Sequence, residues 1–200
     1  MNAAIVTDRL GAFITQLGQP LACLDIETTG SHTERDRITE IGIVTLHPDG
    51  TQSDWSCLIH PGCAIPARIT TLTGITNEMV ADQPAFAHQA RALLERLENH
   101  IVIAHNARFD LGFLKQAFRR EGTRFNSPVL CSVKISRQLF PKERRHNLDA
   151  VMLRMGLSCA ARHRALGDAA VVADFITTLA CTRGEELLAA CRPVLIDRID

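Results

Sequence analysis

The chain has 200 residues, 46% hydrophobic and 22% charged, and its acids and bases balance to a formal net charge of zero. That is the length and composition of one soluble globular domain, without the overall basic field that draws a protein to nucleic acid. No uninterrupted apolar run approaches the ~20 residues that span a bilayer, Asp8 and Arg9 sit where a signal peptide would be apolar, and the seven cysteines form no Cys-x-x-Cys pair, so we expect a cytoplasmic protein with no membrane partner and no disulfide framework.

Residues 3–17 have the pattern of a short amphipathic helix, closed by Gly18 and Pro20. Residues 21–26 read as a strand. RITEIGIVTLH (37–47) alternates polar and apolar residues as a half-buried strand does. PDG (48–50) is a turn and DWSCLIHP (54–61) a third strand, so the first three strands form an antiparallel meander. Helices then dominate. Short turns of helix are expected at 66–72 and 76–80, and an amphipathic helix at 85–98 with Phe86, Ala90, Leu93, Leu94 and Leu97 on one face. HIVIAHN (100–106) is a short buried strand, and 107–120 a helix with Phe109, Phe113, Leu114 and Phe118 at helical spacing. PVLCSV (128–133) is a brief strand; helices follow at 134–139, 147–155, 166–182 and 184–191. Three antiparallel strands, then strands alternating with helices, predict an α/β fold with a mixed sheet flanked by helices. We divide the chain into an N-terminal helical extension (1–20), a central domain (21–182) and a C-terminal helical tail packed on it (183–200).

Within the first strand, LACLDIETTG (21–30) carries two acids in an otherwise apolar run. Alternation places Asp25 and Glu27 on one face and Ile26 on the other, toward the core. Two carboxylates so close repel unless a cation intervenes, and a hard divalent ion such as magnesium or manganese suits oxygen donors. Gly30 lets the chain turn sharply after the strand. Two further acids stand in apolar settings: Asp110, in a helix rich in Phe and Leu, and Asp168, at the start of another. His105 and Asn106 lie at the junction before the first of these helices, where Asn106 suits an N-cap. His163 lies in a loop just before the second.

DIETTG, HNARFD (105–110) and HRALGDA (163–169) resemble the three motifs of the DnaQ-like DEDD superfamily of 3′–5′ exonucleases, and TLTGITNEM (71–79) resembles the segment between its first two motifs, with Thr73 where histidine is common. The histidine spacing of the third motif, in a chain without tyrosine, identifies the DEDDh branch. The resemblance covers about 21–182 and implies a ribonuclease H-like fold with a five-stranded mixed sheet. It implies that Asp25, Glu27, Asp110 and Asp168 hold two Mg²⁺ or Mn²⁺ ions and that His163 is the general base. It implies too that Thr28, Thr29 and Gly30 grip the terminal nucleotide and that Ile75 and Thr76 meet the last bases. Asn106 would order the strand-to-helix turn, and His105 would either touch substrate or satisfy a backbone group. The implied activity is stepwise hydrolysis at 3′ ends of single-stranded or frayed DNA, releasing nucleoside 5′-monophosphates, in proofreading or repair. The alternatives are RNA 3′-end trimming on the same scaffold and a non-catalytic, polymerase-associated subunit. Association with a DNA polymerase is implied by the family alone, and no polymerase-binding tail is expected in the helix or two after Asp168.

Three lesser patterns receive local readings. Cys57, His60 and Cys63 offer three soft ligands but read as a strand and turn. RQLFP (137–141) resembles a sliding-clamp peptide but reads as a helix end with Leu139 and Phe140 in the core. The arginine clusters at 119–120, 124, 144–145 and 162/164 suit phosphate or solvated helix ends.

Overall fold

The computed structural model describes residues 3–193 and 195; the remainder of the expected C-terminal tail, like Met1 and Asn2, lies outside the described residues. In chain order the elements are α1 (Ala3–Leu17), β1 (Leu21–Thr28), β2 (Ile38–Leu46), β3 (Gln52–Leu58), α2 (Ala67–Thr73), α3 (Asn77–Ala81), α4 (Phe86–Leu97), β4 (Ile101–Ala104), α5 (Arg108–Arg120), β5 (Val129–Cys131), α6 (Ser132–Leu139), α7 (Leu148–Met155) and α8 (Ala165–Cys191). The five strands form one sheet in the order β3-β2-β1-β4-β5. β1 pairs antiparallel with β2 and parallel with β4, so it is the strand at which the sheet changes direction. Clefts for ligands form beside the carboxyl ends of strands at such switch points.

Helices cover both faces of the sheet. Odd residues of β1 and even residues of β2 share the face that carries Leu21, Cys23, Val44 and Leu46, packed with α1, α6, α7 and α8. The other face buries Ala22, Leu24, Ile26, Ile41 and Ile43 against α4 and α5, whose Phe113 and Phe118 are fully enclosed. Phe118 meets Phe86 edge-on at 5.2 Å and stacks on Phe125 at 5.6 Å.

The α/β class, the five-stranded mixed sheet and the antiparallel meander agree with the sequence reading. β2 differs from it: the strand is buried along nearly its whole length, not on one side. The reason is α8, which lies across the face that bears Glu40 and Gly42 and gives that side of the strand a protein environment in place of water. Ser132 and Val133, expected in a strand, open α6; the fully buried Ser132 hydroxyl sits 2.9 Å from His105 Nδ1 and 3.4 Å from the Ala104 carbonyl. α8 itself is long and apolar enough to cross a membrane by composition alone. Here its Val172, Phe175, Ile176 and Leu179 form the core under the sheet, and Arg183, at φ −144° and ψ 40°, breaks it at the position where the sequence separates two helices.

Candidate active site

Asp25 and Glu27 leave the end of β1 on the α8 side of the sheet, while Ile26 enters the opposite core. Asp168 comes from the first turn of α8, where a carboxylate also complements the helix dipole. Among the described residues, these three acids are the group placed to hold a metal: one carboxylate oxygen from each lies within 4.8 Å of the others. Asp110, buried in the first turn of α5, joins them electrostatically. Burial pushes the Asp25 carboxyl well above the usual range, and the charges of Asp110, Asp168 and Glu27 push it further. Glu27 is pushed up to about 7, by burial first and then by Asp168 and Glu40. Burial also raises Asp110, with Glu27 adding to it, against backbone hydrogen bonds at Asp110 and Ile26. Four hard oxygen donors, with Asp25, Glu27 and Asp110 held above the usual carboxylate range, are a donor set completed by divalent cations, so the residues present fit the implied metals.

Two arginines supply part of the missing positive charge. Arg162 donates through Nη1 to Asp168 and through Nε and Nη2, each at 2.9 Å, to Oδ1 of Asp149 on α7. Arg164 donates to Glu40, with Nε at 3.1 and 3.0 Å from the two carboxylate oxygens and Nη2 at 2.6 Å from one of them. Glu40 is 4% exposed and faces Glu27 directly across the β1–β2 ladder. It also accepts the backbone N–H of Ala165 at 2.9 Å, which caps α8 from outside, since the cap residue Arg164 makes no side-chain cap of its own. Sequence reasoning gave Glu40 no role; the signal was a lone acid in the middle of an apolar strand, the same signal that marked Asp25. Gly42 completes the seat of α8. A Cβ there would stand 2.3 Å from Ala165 C and Leu166 N.

His163 occupies the turn between Arg162 and Arg164, half-buried, as the sequence places it. Its φ of 58° is the left-handed conformation, which costs a non-glycine residue of order 1–3 kcal/mol and persists where neighbours fix it. Here both neighbours are tethered, so the turn is braced and not a free loop.

The expected substrate contacts sort differently. Thr28 donates its hydroxyl to the Gly30 carbonyl at 2.5 Å, and the Thr29 hydroxyl accepts the Arg37 N–H at 3.0 Å, so both hydroxyls are engaged in shaping the turn. Gly30 does not adopt a positive φ. A Cβ there would meet the Asp36 carboxylate at 2.3 Å and displace it from the His32 N–H, which it accepts at 2.8 Å. Ile75 is fully buried with Ile65 and Val80, and the Thr76 hydroxyl caps α3 by accepting from Met79 N at 3.3 Å. His105 is held by Ser132, and burial pushes its imidazole down to about 4, which keeps it neutral; this favours a packing role. Asn106 is exposed at φ 73°, a conformation asparagine tolerates, and receives Phe109 N–H on its backbone carbonyl in place of the side-chain cap expected of it.

The lesser patterns resolve locally. His60 Nδ1 accepts the Gly62 N–H at 3.2 Å, a turn contact. Leu139 and Phe140 pack on the α8 core, with Arg154 and Arg183 over the Phe140 ring at 4.9 and 5.1 Å. Arg120 staples the loop after β1 by donating to the carbonyls of Thr33 (3.3 Å) and Glu34 (2.6 Å). Arg119 and Arg124 line, with Lys115, a groove of about 810 Å³ on the outward side of α5.

Residues 22–176 match the family model RNase_T, described as Exonuclease. The chain is 32% identical over 152 residues to the DNA polymerase III subunit epsilon of Aquifex aeolicus, covering 76% of this chain and 75% of that protein. It is 36% identical over 152 residues to a DNA polymerase III PolC-type of Clostridium perfringens, again over 76% of this chain but spanning only 10% of that far longer protein. Among solved structures it resembles exonuclease X in complex with 5′ overhanging duplex DNA, with a TM-score of 0.66 at 24% identity, over 86% of this chain and 98% of that one.

Proposed function

This chain belongs to the RNase_T exonuclease family, and from that premise we propose that it removes nucleoside 5′-monophosphates one at a time from 3′ ends of single-stranded or frayed DNA, in proofreading or repair. The observation that carries the reading is the convergence of Asp25, Glu27 and Asp168 within 4.8 Å, with Asp110 buried in the same field.

Four carboxylates match the charge of two divalent cations, magnesium or manganese. Such ions, when bound, stabilise the attacking and leaving oxygens of an in-line displacement at phosphorus. The chain's own contribution is placement. β1 presents Asp25 and Glu27 from one wall, α8 presents Asp168 from the other, and α5 adds Asp110. The imidazole of His163 takes the proton of the attacking water as general base. Because the Thr28 and Thr29 hydroxyls are engaged within the turn, the terminal nucleotide is gripped by its backbone there. Residues 21–182 make up the catalytic unit in this reading, which works in the cytoplasm alongside a DNA polymerase.

Matched 5′-labelled DNA and RNA oligonucleotides, with and without a 3′-phosphate, incubated in Mg²⁺ or EDTA, test it. A ladder shortening from the free 3′ end of DNA, absent in EDTA, is expected. Internal cuts or undiminished hydrolysis in EDTA would overturn it, and faster loss of the RNA would move the assignment to RNA trimming.

A further inference from the structure

We infer that Glu40 is a positioning residue for His163, acting through Arg164; the inference rests on the reading of His163 as general base. Glu40 lies on β2 and the base in the turn before α8, 123 residues on in sequence, yet the guanidinium of Arg164, the base's neighbour in the chain, reaches Glu40. His163 holds a left-handed φ of 58°. The residue before it is tied to Asp149 and Asp168, and the residue after it to Glu40. Release of the second tie frees one end of the turn.

The joint is built for direction. Glu40 accepts from Arg164 through both oxygens, and one of those oxygens also takes the Ala165 N–H, so three donors in two consecutive residues converge on one carboxylate. Arg164, at an extended φ of −127°, follows His163 directly, so a tie on Arg164 reaches His163 through one peptide bond. Two positions further along the same strand face, Gly42 sets how closely α8 approaches the sheet. Gly42 therefore fixes the distance of the helix from the sheet, and Glu40 fixes the rotation of the turn that enters it.

The choice of residue type points the same way. A buried glutamate directly opposite Glu27 adds negative charge to a site already crowded with it. A joint that served packing alone would be met by apolar side chains of similar volume, often without loss of stability. A bidentate carboxylate–guanidinium pair instead supplies a fixed plane and angle.

The test is a double-mutant cycle between Glu40→Gln and His163→Ala in the full chain, read in hydrolysis of a 5′-labelled oligonucleotide at saturating Mg²⁺ and in KM. Glu40→Gln is expected to lower kcat by about 10–100-fold, the scale of a misplaced catalytic group, with KM unchanged. In the His163→Ala background the same substitution is expected to cost nothing further, because effects of residues that act as a unit do not add. An equal loss of rate in both backgrounds, or a change in KM as large as that in kcat, would overturn the inference while leaving His163 as the base. A His163→Ala variant at full rate would overturn both, and is recognised from that single variant. Should Glu40→Gln fail to fold, Arg164→Gln, whose side chain is 37% exposed, carries the same cycle.

Discussion

Glu27 and Glu40 stand directly opposite each other on β1 and β2, on the face that α8 covers, so two like charges, one half-buried and one buried, share one rung of the ladder. Such a pairing works against the sheet. The consequence appears in pH dependence. Glu27 titrates near 7 in the fold, against about 4.5 when unfolded, and Asp25 and Asp110 shift the same way. The folded state thus binds these protons more tightly than the unfolded chain. The stabilisation from Glu27 is complete below about 4.5 and is lost as pH rises through about 7, and that from Asp110 is lost through about 8. His105, neutral in the fold down to about 4, acts in the opposite direction below about 6.5. In EDTA, Tm should therefore be higher at pH 6 than at pH 8, and Mg²⁺ should narrow the difference by binding the charged form. A calorimetric Tm in EDTA that is flat or rises from pH 6 to 8 would contradict the account of the acids.

Asp110→Asn removes one buried charge while keeping the acceptor for its backbone hydrogen bonds. We expect single-turnover hydrolysis to fall by at least ~10²-fold, the scale of a lost electrostatic stabiliser, and the metal-free protein to melt at a higher temperature. The rise of Tm on adding Mg²⁺ should shrink. A variant with near-normal rate would remove Asp110 from the site.

Arg162→Gln leaves the buried Asp168 without its guanidinium. Breaking a largely buried pair by removing one partner is destabilising, so Tm in EDTA should drop. The site becomes more negative, so Mg²⁺ should bind more tightly and restore more of the lost Tm than it adds to the wild type. Titration calorimetry with Mg²⁺ on EDTA-stripped, dialysed protein checks this; unchanged or weaker affinity would show that Arg162 does not compete for Asp168.

Gly42→Ala puts a methyl group against the backbone of Ala165 and Leu166, which cannot yield without moving α8. Overpacking of this kind costs ~1–3 kcal/mol, measurable in urea unfolding. Because Asp168 and His163 travel with that helix end, the rate should fall as well. Wild-type stability in this variant would mean that α8 is not seated on β2 at this position.

What could be read from the sequence was local. Asp25 and Glu27 announce themselves because a strand's alternation makes two acids in an apolar run conspicuous. Asp110, His163 and Asp168 do not stand out alone; they were singled out by the resemblance of HNARFD and HRALGDA to the motifs of the DEDDh exonucleases. The sheet was legible from strand and helix periodicity. Glu40 was not, because its meaning depends on Arg164, 124 residues away. Nor was the burial of both faces of β2, since alternation cannot reveal a helix that arrives from the other end of the chain. The burial of Ile75 was hidden for a related reason: a residue in a short loop between helices gives no sign that it fills a small core of its own.

The placement of α8 bears on how the protein is made. Asp25 and Glu27 leave the ribosome early, Asp110 midway, and His163 and Asp168 only with the final helix. That helix covers the central strands and reaches back to α1, where Arg9 donates to the carbonyl of Cys181, 172 residues away. Long-range closure of this kind comes late in folding, and domains synthesised at ~5–20 residues per second wait for their last element. A nascent copy therefore carries Asp25, Glu27 and Asp110 before it has either His163 or the helix that presents Asp168. The acidic cluster comes together only once α8 has closed over β1 and β2, so its assembly is tied to the last long-range step of folding.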